Sequence, residues 1–189
     1  MTAPEQHPKA APGELDAIRQ LVNTFDLETG EEKLGDARTL AAWLAERGLL
    51  DADAPPLSDD DVARAHALRE ALRKLLLAHN GFPVDPAAVE AFNSAAAASE
   101  LVVRFDSDGT AALVPARPGI DVALGRLCAI VFRAQADGTW QRLKACGDHA
   151  CEWAFYDWTK NRSGTWCDMA VCGNRAKARA YRERSRRPN

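Results

Sequence analysis

A mainly α-helical protein is predicted, with a helical N-terminal body that carries one β-hairpin and a small C-terminal module that ends in a basic helix. Three observations predict it. Five segments before Gly138 space their apolar residues three and four apart, the period of a single helix face. One Asp-Gly turn separates two short apolar runs, a hairpin signal. Past that body the charge reverses. Residues 1–140 carry 13 basic and 22 acidic side chains, a balance of −9, whereas residues 141–189 carry 11 and 5, a balance of +6.

Residues 1–12 hold three prolines and little to bury, so a disordered lead-in is expected. Leu15, Ile18, Leu21, Val22 and Phe25 then form one helical stripe. Asn23 and Thr24 interrupt it, either as local backbone-bonding groups or, with Trp43, as polar residues aimed at a pocket for a small signal. After the polar connector 27–36, a second helix over 37–47 turns Leu40, Trp43 and Leu44 inward, and Gly48 stops it. Pro55-Pro56 makes a rigid link. Ser58 with Asp61 reads as a capping box that opens a long helix through Val62, Leu68, Leu72, Leu75 and Leu76 to Asn80-Gly81. His66 and His79 lie thirteen residues apart on it, too far for one metal site. Asp85-Pro86 opens a helix through Val89 and Phe92 to the alanines 95–98.

Leu101–Phe105 and Ala111–Val114 are the hairpin strands, and Pro115–Gly119 ends them. An apolar helix over 120–136 contains Cys128, read as a small core residue, and Asp137-Gly138 closes it. The expected division follows there: a helical domain at 13–137 and a second domain at 138–189. The body has no glycine-rich phosphate loop and no assembled Ser/His/Asp set, so no enzyme is expected. No run of eighteen apolar residues supports a membrane span.

The second domain is organised by C-G-D-H-A-C at 146–151 and C-D-M-A-V-C at 167–172, fifteen residues apart. Four thiolates from two tight turns suit the tetrahedral shell of one structural Zn²⁺, bound by Cys146, Cys151, Cys167 and Cys172. Such a shell is closed to water, so the metal holds structure rather than doing chemistry. Two disulfides are the alternative in an oxidising compartment, but Met1–Pro12 has no apolar secretion-signal core. An iron–sulfur cluster is another, though the spacing matches neither common ferredoxin run. His149 is a solvated loop residue or a substitute ligand. About fifty residues barely order themselves by apolar burial, which favours a metal centre packed with large rings. Seven of the thirteen aromatic residues lie here, with Tyr156 and Trp158 the candidates for stacking on bases.

Beyond the last cysteine, C-G-N-R at 172–175 leads into AKARAYRERSRR. Asn174 is the expected N-cap, with Gly173 allowing a tight turn beside the metal. Arg175, Arg179, Arg182 and Arg186, spaced 4, 3 and 4, share one helix face, with Lys177 and Arg184 opposite. A basic tail on an acidic body suits a polyanion; a merely solvated helix is the plain alternative.

These residues resemble the bacterial proteins in which a CGNR-type zinc finger follows an N-terminal domain called ABATE. The likeness rests on the four cysteines, Phe155-Tyr156-Asp157, Trp166-Cys167, Cys172-Gly173-Asn174-Arg175 and Asn23-Thr24. It implies a treble-clef or ribbon-like finger and a stress-linked, cytoplasmic and nucleoid-associated transcription regulator. Its N-terminal domain would sense a signal or dimerise. Nucleic-acid contacts, duplex DNA first, would come from Asn174, Arg175, Lys177, Arg179, Arg182 and Arg186. The other readings are an RNA-binding protein and a zinc-dependent protein-interaction module.

Overall fold

The computed structural model describes residues 9–186, the side chains of Glu183 and Arg186 excepted. Helix α3 (Asp59–Ala78) is the central element, against which α1 (Leu15–Val22), α2 (Ala37–Glu46), α4 (Pro86–Ala98) and α5 (Ile120–Asp137) all pack. The helix starts are set by local chemistry. Ser58 accepts from the Asp61 amide while Asp61 takes the Ser58 amide, and Asp36 and Thr39 make the same exchange ahead of α2. Asp85 accepts from the Ala87 amide with Pro86 in the first turn. Helix α5 ends on Gly138 in the left-handed region, a conformation that favours glycine.

The expected hairpin pairs β1 (Leu101–Phe105) with β2 (Ala111–Pro115), Val103 facing Leu113. It lies against α5 through β2, while Val103 and Phe105 face solvent. A second hairpin joins β3 (Leu143–Ala145) to β4 (Ala154–Tyr156), Leu143 facing Tyr156. Strands of three residues are too short to show a period, which is why the sequence does not announce them.

Two expectations change here. The core does not stop at Gly138: Trp140, Leu143, Ala145, Ala154 and Tyr156 belong to the same apolar cluster as Ile18, Leu72 and Leu127. Strand β3 packs on α3 and β4 on α1, so 13–137 and 138–189 share one interior. Of the expected lead-in, residues 1–8 lie outside the described residues, but 9–12 are fixed in place. The Lys9 carbonyl accepts the Tyr156 amide at 3.0 Å, the Ala10 carbonyl accepts Trp158 Nε1 at 3.0 Å, and Ala11 is buried. Pro12 is compatible with this because the bonds of the segment run through the Lys9 and Ala10 carbonyls and the Ala11 amide, which the Asp16 carboxylate accepts at 2.7 Å, and none needs a proline N–H.

Buried polar groups tie the two halves together. Arg73 is fully enclosed, its guanidinium donating to the carbonyls of Val22 at 2.8 Å, Phe25 at 3.1 Å and Glu152 at 3.1 Å, with Glu70 at 2.9 Å. Within the first half, Arg69 reaches Thr24 and Glu32 and so fixes the connector after α1 on α3. The side-chain amide of Asn23 exchanges two hydrogen bonds with the backbone of Ala154, at 2.9 and 2.7 Å, and so acts as a strand edge for β4. His79 bonds the Leu143 carbonyl through Nδ1 at 2.8 Å, which makes that nitrogen the donor of a neutral ring.

A metal centre and the helix that leaves it

Cys146 follows β3 directly, and its amide bonds the Trp153 carbonyl at 3.0 Å, which extends the hairpin. The turn beyond it closes on the Asp148 carbonyl, which accepts the amides of Cys151 at 2.8 Å and Glu152 at 3.0 Å. Glu152 then takes a left-handed φ of 45°, strain that the carbonyl bond to Arg73 and the ion pair with Lys74 hold in place. Cys167 precedes Asp168, whose carboxylate accepts the amides of Ala170 and Val171. That cap starts a π-helical turn, Met169–Gly173, which carries Cys172 and runs into α6 (Asn174–Arg186).

The expected N-cap is therefore corrected. Asn174 is already helical, and its side-chain Nδ2 donates back to the Ala170 carbonyl at 2.9 Å; Asp168 is the cap. Gly173 serves by close approach: a Cβ there would stand 3.2 Å from the Trp166 ring and nearer still to the Met169 sulfur.

The four sulfurs lie within 4.8 Å of one another, with Cys151 to Cys167 at 3.6 Å and Cys167 to Cys172 at 3.7 Å. Tetrahedral zinc with Zn–S bonds of about 2.3 Å requires sulfurs about 3.8 Å apart, so the residues fit one ion. Amide donors support thiolates: those of Asp148 and Cys167 point at Cys146 and that of Trp153 at Cys151. Without a cation, hydrogen bonds from Cys151 and Cys167 hold the Cys146 thiol far down, and that neighbour pushes the other two up. A dication reverses this by favouring all four thiolates together. Cys128 stands apart, buried in α5 with its thiol pushed up to about 12 by burial. His149 is exposed and is not among the clustered ligands. When bound, the ion crosslinks the β3–β4 turn to the start of α6.

The loop between the ligand pairs is held by a buried ion pair. Lys144 donates to Asp157 at 2.9 Å and to the carbonyls of Arg162 and Gly164. Burial raises the Asp157 carboxyl, but Lys144, Thr159 and the Gly164 amide outweigh it and hold it at about 2. Gly164 leaves no room for a side chain, since a Cβ would meet that carboxylate at 2.9 Å.

The arginine face divides. Arg175 is engaged on three sides: Glu28 takes it bidentately at 2.6 and 3.0 Å, the Cys172 sulfur accepts Nη2 at 3.3 Å, and Nε lies 3.1 Å from Asp148. That last contact is ionic, because it is misaligned for a hydrogen bond. Arg179 pairs with the other oxygen of Asp148 at 3.1 Å. Asp148 is 1% exposed, so these two cations neutralise a buried carboxylate. The expectation that Arg175 and Arg179 offer an open phosphate surface is corrected for Arg175 and weakened for Arg179, which keeps a half-open side chain. Spacing shows which residues share a face, not what packs on it. Lys177, Arg182 and Arg184 are exposed, with no ion pair among the described residues; the side chain of Arg186 lies outside them. Of the stacking candidates, Tyr156 is buried in the core and only Trp158 is open.

Asn23, Thr24 and Trp43 are each engaged separately. Thr24 bonds the Leu21 carbonyl at 2.7 Å, Asn23 faces β4, and Trp43 lies under Arg47 at 4.1 Å. A cavity of about 540 Å³ opens instead between α1, α5 and β2, lined by Arg47, Arg126, Arg133, Leu113 and Ile130 among others. The residues missed from sequence are Glu28, Asp148, Arg69 and Arg73. Arg69 carries a signal, because it falls on the same helix face as Val62, Ala65, Leu72 and Leu76.

Among the described residues no helix is long and apolar enough to cross a membrane. The family model described as CGNR zinc finger matches residues 142–185, and the ABATE model, described as a putative stress-induced transcription regulator, matches residues 15–150. No curated protein matches the chain. The ABATE match covers well over half of the 189 residues and reaches the first cysteine pair, in keeping with a core that runs across Gly138. The chain belongs to the ABATE family and carries a CGNR zinc finger at its C-terminal end.

Proposed function

We propose that the protein is a cytoplasmic, nucleoid-associated transcription regulator that binds duplex DNA through the outer part of α6, with zinc in a purely structural role and no catalytic activity. The observation that supports this is the state of α6 itself. Lys177, Arg182 and Arg184 are exposed on it with no carboxylate partner among the described residues. Arg182 lies on the face of Arg179, and Lys177 and Arg184 lie opposite, so a helix laid between two phosphate backbones presents cations to each. The metal centre fixes the root of this helix, so the cations are carried on a rigid element. Phosphate contacts of this kind set affinity and register rather than sequence preference.

The test is fluorescence anisotropy on a labelled duplex over a range of salt. Three contacts correspond to a slope of log K on log salt of about −2.7. Replacing Lys177, Arg182 and Arg184 together by alanine should bring that slope close to zero and leave zinc content and melting temperature unchanged. A preference for single strands would select an RNA-binding role. No polyanion binding at moderate salt would leave an acidic protein partner as the reading of the same face.

A further inference from the structure

We infer that Glu28 is a built-in competitor of the polyanion, a latch that holds Arg175 on the body until a phosphate displaces it. The inference rests on the nucleic-acid reading above. Glu28 lies 147 residues from Arg175 in sequence, on the connector between α1 and α2, yet among the described residues it makes the most complete ion pair that α6 has with any other part of the chain. Fork-to-fork pairing of a guanidinium with a carboxylate is the geometry that the same guanidinium would use on a phosphate. The two partners are therefore mutually exclusive on Arg175.

The connector is acidic beyond Glu28. It carries Asp26, Glu31 and Glu32 as well, and of these Glu32 is committed to Arg69. A nucleic-acid backbone that follows the Arg182 and Arg179 face of α6 toward Arg175 meets this acidic loop at the helix root. Its phosphates must displace Glu28 or stop short of it. Glu28 is half exposed and Arg175 about one-third exposed, so the pair can open without uncovering a buried charge on Glu28. Arg175 retains the Cys172 sulfur as an acceptor while the latch is open, so the metal centre does not depend on Glu28. Binding linkage runs both ways: a polyanion that takes Arg175 must loosen the connector, and a ligand or modification that moves the connector must change polyanion affinity by the same factor.

The experiment uses the full zinc-loaded chain with Glu28→Gln and Glu28→Arg. Glu31→Gln is the control, because it changes net charge as Glu28→Gln does, on an exposed side chain of the same loop. Duplex affinity is read by anisotropy across salt, and amide exchange is followed over residues 26–32 and 169–180 with and without duplex. An exposed pair of this kind is weak, so Glu28→Gln should tighten binding about three- to fivefold at moderate salt. It should also steepen the salt slope by about 0.9, one further contact, and Glu28→Arg should do at least as much. Glu31→Gln should shift affinity less and leave the slope alone. In the wild-type chain, duplex should speed exchange in the connector. Binding that Glu28→Gln changes no more than Glu31→Gln does, with a connector indifferent to duplex, overturns the latch while leaving the nucleic-acid reading intact. Absence of duplex binding by all four proteins overturns both.

Discussion

Cutting the chain at Gly138 tests the shared interior most directly. A fragment of residues 13–137 keeps all five body helices and the first hairpin, yet it loses Trp140, Leu143 and Tyr156, each at most 7% exposed in the whole protein. Burying one such side chain contributes about 1.5–3 kcal/mol, so the loss comes to about 5–9 kcal/mol before any polar term. Arg73 also loses the Glu152 carbonyl, Asn23 its exchange with Ala154, and His79 the Leu143 carbonyl. Domains of this size are stable by only about 5–15 kcal/mol, so the cut consumes most of that margin. Urea unfolding followed by far-UV circular dichroism should show one cooperative transition for the whole chain. The fragment should show a broad, shallow one, with dye-binding apolar surface already exposed in buffer. A cooperative fragment within about 2 kcal/mol of the full chain would refute the reasoning and restore an independent N-terminal domain.

Other outcomes follow from the same contacts. Metal analysis should give one zinc per chain. Cys167→Ser should abolish it and lower the midpoint of the whole chain rather than of the finger alone, whereas Cys128→Ser should leave metal content unchanged. Asn23→Ala leaves a buried amide and carbonyl of Ala154 without partners and should cost about 2–4 kcal/mol in denaturant titrations, taking roughly 1–2 for each group; a cost under about 1 would mean that the strand edge re-forms without it. His79 is lowered from its usual value, chiefly by burial, so the unfolded chain takes up its proton first as pH falls. Its share of stability is complete above about pH 6.5 and is lost below it; His79→Gln should flatten the urea midpoint between pH 7.5 and 5.5 relative to the wild type.

The sequence by itself determined whatever depends on local chemistry or period. The Ser58–Asp61 capping box, the inward stripes of α2 and α3, the Asp-Gly hairpin and the closing Gly138 are short-range events, and each falls where the residues place it. The first stripe overshoots, since α1 ends at Val22 and Phe25 bridges Glu32, and Val89 of α4 is exposed. The four ligands were legible because two identical C-x4-C turns can converge on one ion whatever surrounds them. Long-range partners leave no such mark. Nothing in the spacing of Arg175 and Arg179 shows that Asp148 lies buried beneath them, or that Glu28 reaches across from the first connector. The composition change at Gly138 reads as a domain boundary, yet β3 and β4, three residues each, complete the core of the helices before them. Only the tertiary structure decided these points, because a buried charge or strand edge is defined by what packs against it, and that partner can lie anywhere in the chain.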